Sequence, residues 1–357
     1  MTHFDPIHKI IRQIPKACLS PSNQTSTLYL LRDFLFIGLV ASAIILADSW
    51  LLGLPLSILL GFCVCGLFII GHDCGHKSFS KNIRYNNFVG HLTTSWVLWP
   101  FHVWRIDHDN HHKNTNHIDK DPAWRPVTYK MYKRMPKHLQ RVYRWTRCRF
   151  FMLGSIYTTY LNFKEGFKAQ NSNKFTDEQK KQIRFSIYIT IVLSGISIAA
   201  ASYFAGIYGF VYLILIPNFT FQCLLSTFTF FHHTNADTKF LDRKSWNIEQ
   251  AQLAGSFHVS YPKWVEFLTH DINWHVPHHV CVGIPHYRLR PAHDALKAAY
   301  PEHVKEYRFT WSYIQETISS CHFVKSKFAP ADLSWVSFDE AKEIEGSRKL
   351  KLANAKA

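Results

Sequence analysis

Two long stretches of this 357-residue chain lack every ionised side chain. No Asp, Glu, Lys or Arg occurs between Ser49 and Gly71, and none between Phe185 and Phe231. Helices of water-soluble domains keep a polar face, so stretches this long and apolar exclude an ordinary soluble fold and predict membrane spans. Cysteines are scattered: Cys18, Cys63, Cys65, Cys74, Cys148, Cys223, Cys281 and Cys321 include no CxxC pair. Cys63, Cys65 and Cys223 fall inside apolar stretches, and all eight are read as reduced thiols in a protein facing the cytosol. Acidic residues are outnumbered, 25 against 41 Lys and Arg, for a formal net charge of +16. No zinc-finger spacing or RNA-binding aromatic signature accompanies the excess, so no nucleic-acid partner is expected. Basic flanks beside spans are what the positive-inside rule predicts, and they favour anionic lipid and an acidic redox partner. No secretory signal is read ahead of the first apolar stretch, which starts near Leu28.

The apolar segments set the architecture. The mean hydropathy of −0.11 averages very apolar spans with a large water-facing part that carries nearly every charge. This excludes a many-helix transporter. Spans are expected at about 28–47, 50–71, 185–205 and 209–231, in two hairpins. The second is about 33 Å long at 1.5 Å per residue, enough for one crossing. Asp48 and Ser49 make the first turn, and Ala205 to Gly209, with two glycines, the second. Phe88 to Phe101 is too short to span and reads as interfacial or re-entrant. Both turns lack Lys and Arg, so residues 1–27, 72–184 and 232–357 are expected on the cytosolic side, with Arg32 and Asp33 at the border of the first span. Asp5 is expected to cap a short helix with Pro6 in its first turn, its Ile7, Ile10, Ile11 and Ile14 facing either a membrane surface or the protein. The tail from about Ala329 is expected to be loosely held. The fold expected is an all-α membrane protein, a single domain over 1–357, with four transmembrane helices under a cytosolic helical cap.

Histidine is what the chain has in excess. There are 22, and they are grouped: His72 and His76; His108, His111 and His112; His232 and His233; His275, His278 and His279. Residues three or four apart share a helix face, so each group projects several imidazoles together. Imidazole is a neutral ligand for iron, copper or zinc, and open positions on such a metal allow oxygen chemistry. All the groups fall on the predicted cytosolic side, just beneath the membrane surface. Pro277 is tolerated only in a first helical turn, so His278 and His279 are expected to begin a helix with His275 just before it. Structural zinc favours cysteine-containing sites, and the HExxH metalloprotease motif is absent. Polar groups within the spans would mark a transporter or a metal-binding scaffold without catalysis. Apart from Arg32 and Asp33 the spans carry no ionised groups.

The stretches GHDCGHKSF, PFHVWRIDHDNHHKNTN, TFFHHT, YPKWVEFLTHDIN and HVPHH resemble the membrane fatty acid desaturase family over nearly the whole chain, in the style of its cyanobacterial acyl-lipid Δ12 branch. The resemblance implies an O2-dependent oxidoreductase with two iron ions held by His72, His76, His108, His111, His112, His233, His275, His278 and His279. His233 is taken over His232 because Thr234 follows it, as in the family's His-Thr pair. His232, His270, Asp271 and Asn273 are implied as partners behind the ligands, with Asp107, Asp109, His117 and Asp119 as lesser candidates. A related branch places a water-mediating Asn one helical turn before the histidine that corresponds to His233; Thr229 stands there here. The implied substrates are acyl chains of membrane glycerolipids, oleoyl chains gaining a cis bond at Δ12. The implied setting is a multi-pass protein of the plasma or thylakoid membrane. No His-Pro-Gly-Gly segment of a fused cytochrome b5 is present, so a ferredoxin-type donor is expected. Related boxes also serve membrane hydroxylases and carotenoid ketolases, which the residues alone leave open.

Overall fold

The computed structural model describes residues 4–324 and 335–354. Among the described residues, three continuous helical stretches are long and apolar enough to cross a membrane: Asn23–Ala47, Trp50–His76 and the 57-residue Asp177–His233. Ser22 and Ser49 cap the first two, accepting from Thr25 N and Leu52 N, and Thr176 with Gln179 forms a capping box on the third. The third stretch is two helices. Ala205 and Gly206 leave helical geometry, and Gly206 takes φ 56°, which glycine adopts freely. The chain folds back there, within the turn expected from sequence, and a π-helical turn Phe210–Leu215 leads into Ile216–His233.

Trp50–His76 is the centre of the bundle. Of its most apolar window 67% is buried, against 22% and 28% for the other two stretches. Its glycines set the packing distance. A Cβ at Gly61 would lie 2.4 Å from Thr220, and one at Gly66 2.2 Å from the Leu268 carbonyl oxygen. Small residues let helices approach closely where lipid provides no hydrophobic drive between them. The two hairpin turns are tied together. Tyr208 donates to the carbonyls of Ile44 and Ser49, at 3.0 and 3.2 Å, and Tyr212 to that of Trp50, at 2.8 Å. Leu28, Leu31, Leu35 and Leu39 leave one face of the first helix exposed, as do Tyr203 and Phe204 at the second turn. An exposed apolar belt of this kind is costly in water and costless in lipid.

At the other end, helices Ile83–Thr94, Phe101–Lys113, Ile248–Ala254 and His275–Val280 cover the ends of the long helices. Several expectations are corrected here. The fold is mostly but not wholly helical: Val127–Thr128, Phe323–Val324 and Trp335–Val336 form a small sheet, and His258–Ser260 pairs in parallel with Glu306–Arg308. Asp5 does not cap Ile7–Arg12; it accepts a hydrogen bond from Tyr300 at 3.1 Å. That helix packs on the protein, with its Ile10, and Ile14 just beyond its end, buried in one cluster with Val276, Val280 and Leu289. Pro277 is the third residue of His275–Val280, inside the first turn, so His275 belongs to the helix too. Of the tail, residues 325–334 lie outside the described residues. Beyond them Phe338–Asn354 is a helix anchored by buried Phe338 and Ala341.

Candidate metal centre

Each histidine group arrives on a helix end. His72 and His76 close Trp50–His76, one turn apart. His108, His111 and His112 lie in the last turns of Phe101–Lys113, and His233 ends Ile216–His233. His275, His278 and His279 occupy Trp274's following helix at spacings of three and four. The structure gathers nine of these side chains into two neighbouring groups. His72, His76, His108, His112 and His278 bring ligand atoms within 4.8 Å of one another, as do His111, His233 and His279. His275 joins the second group, its Nε2 3.0 Å from His233 Nε2 and 3.1 Å from His279 Nε2.

The nitrogens cannot all be hydrogen-bonded. His108 Nε2 faces His72 Nε2 at 3.0 Å and His112 Nε2 at 3.1 Å, while His112 Nε2 faces His278 Nε2 at 3.0 Å. His233 Nε2 faces His111 Nε2 at 3.3 Å as well as His275. A neutral imidazole has one N–H, which cannot serve chains of mutually facing nitrogens. Nitrogens about 2.1 Å from one metal ion and at right angles stand about 3.0 Å apart. The residues therefore fit a metal in each group. His76 Nε2 is buried without a hydrogen-bond partner, a further free lone pair. Burial, reinforced by neighbouring imidazoles, holds His108, His112, His275, His278 and His279 well below the ordinary histidine pKa. They are neutral near pH 7, the form that ligates.

Opposite ring edges are fixed by groups that sequence reasoning passed over. His111 Nδ1 donates to Asp121 at 2.7 Å. Asp121 also accepts from the backbone of Asn116 at 2.7 Å and Ala123 at 2.9 Å. A carboxylate behind a ligating imidazole sets its tautomer and aims the other nitrogen. His279 Nδ1 meets Gln252 Oε1 at 3.2 Å and Thr115 Oγ1 at 3.3 Å. Asp121 and Gln252 lie outside every box; only the spacing of Asp121 nine residues past His112 in HIDKDP hinted at a turn back. Of the expected partners, His232 stacks on His275 with ring centres 4.4 Å apart. His270, Asp271 and Asn273 are not among the groups gathered at either cluster. His270 bonds Asp33 at 2.5 Å and Asn273 bonds Glu266 at 3.0 Å. Asp271 takes a left-handed conformation, φ 54°. Asp109 is 3.9 Å from His76, and Asp107 lines the cavity described next. His117 is buried and accepts from the Asp119 backbone N–H at 3.2 Å.

A cavity of about 610 Å³ reaches both groups. Its wall includes His72, His108, His111, His233 and His275, with the largely apolar remainder coming from side chains such as Phe68, Trp104, Leu139 and Phe228. That combination presents an apolar ligand to a polar, metal-binding floor.

Comparison with known proteins agrees with this geometry. A family model described as Fatty acid desaturase matches residues 48–311. An sn-1 oleoyl-lipid 12-desaturase of Picosynechococcus is 39% identical over 297 residues, covering 83% of this chain and 82% of that protein. A protein of the same description from Synechocystis is 35% identical, covering 88% of each. An sn-1 acyl-lipid omega-3 desaturase (ferredoxin) of Nostoc is 34% identical over 87% of this chain and 86% of its own.

Proposed function

The chain belongs to the fatty acid desaturase family and is an acyl-chain oxidoreductase; on that premise we propose that it introduces a cis double bond at Δ12 of oleoyl chains on membrane glycerolipids. The convergence of nine histidine Nε2-bearing rings at the floor of an apolar cavity supports the reading most directly. The named substrate of the Picosynechococcus and Synechocystis relatives supports the position. His72, His76, His108, His112 and His278 would hold one iron, and His111, His233, His275 and His279 the other. The chemistry such a pair supplies when bound is activation of O2 and removal of two hydrogens from adjacent methylenes, with oxygen released as water.

The protein's own part is placement and exclusion of water. The cavity walls orient the chain, and holding reacting groups in position lowers the barrier. Asp121 and Gln252 hold His111 and His279 in the ligating tautomer. Burial keeps bulk water from the oxidising site. The whole chain acts as one unit with four spans, the long third stretch crossing twice, and with the histidine boxes and termini in the cytosol. Two electrons come from a ferredoxin-type donor, for which the net charge of +16 supplies complementarity and the Nostoc relative's name a precedent.

Expression in a host that contains oleate but lacks Δ12 activity tests the reading. New 18:2 with bonds at 9 and 12 is the expected product, together with close to two irons per chain after metal-sparing purification. A hydroxy acid, or a second bond elsewhere, rejects it. So does an active preparation with stoichiometric zinc and no iron; zinc in an inactive one does not, because first-row metals replace one another readily.

A further inference from the structure

Trp124 is a bulky residue held in the left-handed region, φ 46°. That conformation is a genuine outlier for such a side chain and persists only where its surroundings impose it. Three contacts impose it. The indole Nε1 donates to Thr229 Oγ1 at 2.9 Å. The six-membered ring lies over Gly154, where a Cβ would come within 2.5 Å of it. Arg147, buried, donates to the Trp124 carbonyl. Thr229 has spent its own proton on the Leu225 carbonyl at 2.9 Å, so its oxygen is left as an acceptor with a fixed direction. Both residues line the cavity, and both are tied to the histidines. Thr229 lies one turn before His233, and Trp124 follows the Asp121 loop that holds His111.

We propose that the indole of Trp124, clamped between Thr229 and Gly154, is a specificity-determining wall that sets which methylenes of the acyl chain lie against the histidine clusters. The inference rests on the desaturase reading above and adds the residue that measures position. A strained, three-way-anchored aromatic is a poor choice for filling space, since an unstrained aliphatic would do it. It is a good choice for a surface that must not yield when a flexible chain presses on it. Thr229→Val keeps the shape of the clamp and removes its acceptor. Trp124→Leu removes the wall.

The test has two arms. In the oleate-containing host, positional isomers are mapped and normalised to total product. The wild type gives one isomer; Thr229→Val and Trp124→Leu each spread the second bond over neighbouring positions, at least tenfold above the wild-type background. In the second arm, metal-free protein in detergent is titrated with a glycerolipid whose acyl chain carries vicinal bromines at C9 and C10. Bromine quenches indole emission by contact, and Trp124→Phe is expected to lose a distinct share of the quenching seen in wild type. A single unchanged isomer from both variants overturns the proposal, as does identical quenching of wild type and Trp124→Phe. A wild type that desaturates nothing, whatever the quenching, would instead strike the desaturase reading itself.

Discussion

At His111 the burden of one side chain is visible. Its Nε2 faces His233 at 3.3 Å and its Nδ1 is bound by Asp121 at 2.7 Å, and the side chain is buried. His111→Ala removes a proposed ligand, and desaturation is expected to vanish while the protein still inserts. Asp121→Ala leaves the ligand but frees its ring; losing such a partner typically lowers metal affinity or activity about 10–100-fold. His8→Ala, exposed and outside every group, is the control and is expected to be silent. Normal activity in His111→Ala would remove the metal assignment. The same burial has a consequence for pH. His108, His112, His275, His278 and His279 resist protonation when folded, whereas in the unfolded chain they protonate near the ordinary value of 6.5. Below pH 6.5 the unfolded state therefore binds more protons, and folding stability falls as pH falls, by up to about 1.4 kcal/mol per pH unit for each histidine. Metal-free protein should show a clearly lower Tm at pH 5.5 than at pH 7.5; a Tm flat across that range contradicts the buried, neutral cluster.

Among the elements, Trp50–His76 matters most, because it runs from the hairpin turn at one end to the first histidine pair at the other. Its contact with Ile216–His233 depends on Gly61. A Cβ there meets Thr220 at 2.4 Å and the Pro217 carbonyl at 3.0 Å, so Gly61→Ala must push the helices apart. Overpacking of this kind costs about 1–3 kcal/mol. Gly38→Ala, with nothing within 4 Å, should be neutral or slightly stabilising. Thermal denaturation of the two variants in detergent separates them, and equal midpoints would show that Gly61 does not set the helix spacing. The short helix His275–Val280 teaches a different lesson. A proline in HVPHH suggested that His275 stood outside, yet as its third residue Pro277 sits where no intrahelical N–H is required, and all three histidines share the helix.

For the whole molecule, the tie between the hairpin turns through Tyr208 and Tyr212 fixes that both turns lie at one end and the histidines at the other. With the basic residues gathered at the histidine end, the proposed orientation places that end in the cytosol. Single cysteines introduced at Asp48 should react with an impermeant reagent on intact cells, and those at Asp5 or Lys174 only after lysis. The reverse pattern would place the donor-binding face outside and exclude a cytosolic electron carrier.

The sequence by itself determined the class of solution. Charge-free stretches permit only satisfied backbone in lipid, and histidines three and four apart can only share a helix face, so spans and boxes were legible from spacing alone. Even the second turn was readable, because two glycines interrupt an otherwise unbroken apolar run. What spacing does not carry is the meeting of residues far apart in the chain. That His275 faces His233 across 42 positions, that Asp121 turns back to His111, and that the indole of Trp124 reaches Thr229 across 105 positions are decided by how the helices pack. Packing is set by volumes and close approaches summed over the whole bundle, such as Gly61 against Thr220, and no local pattern encodes that sum.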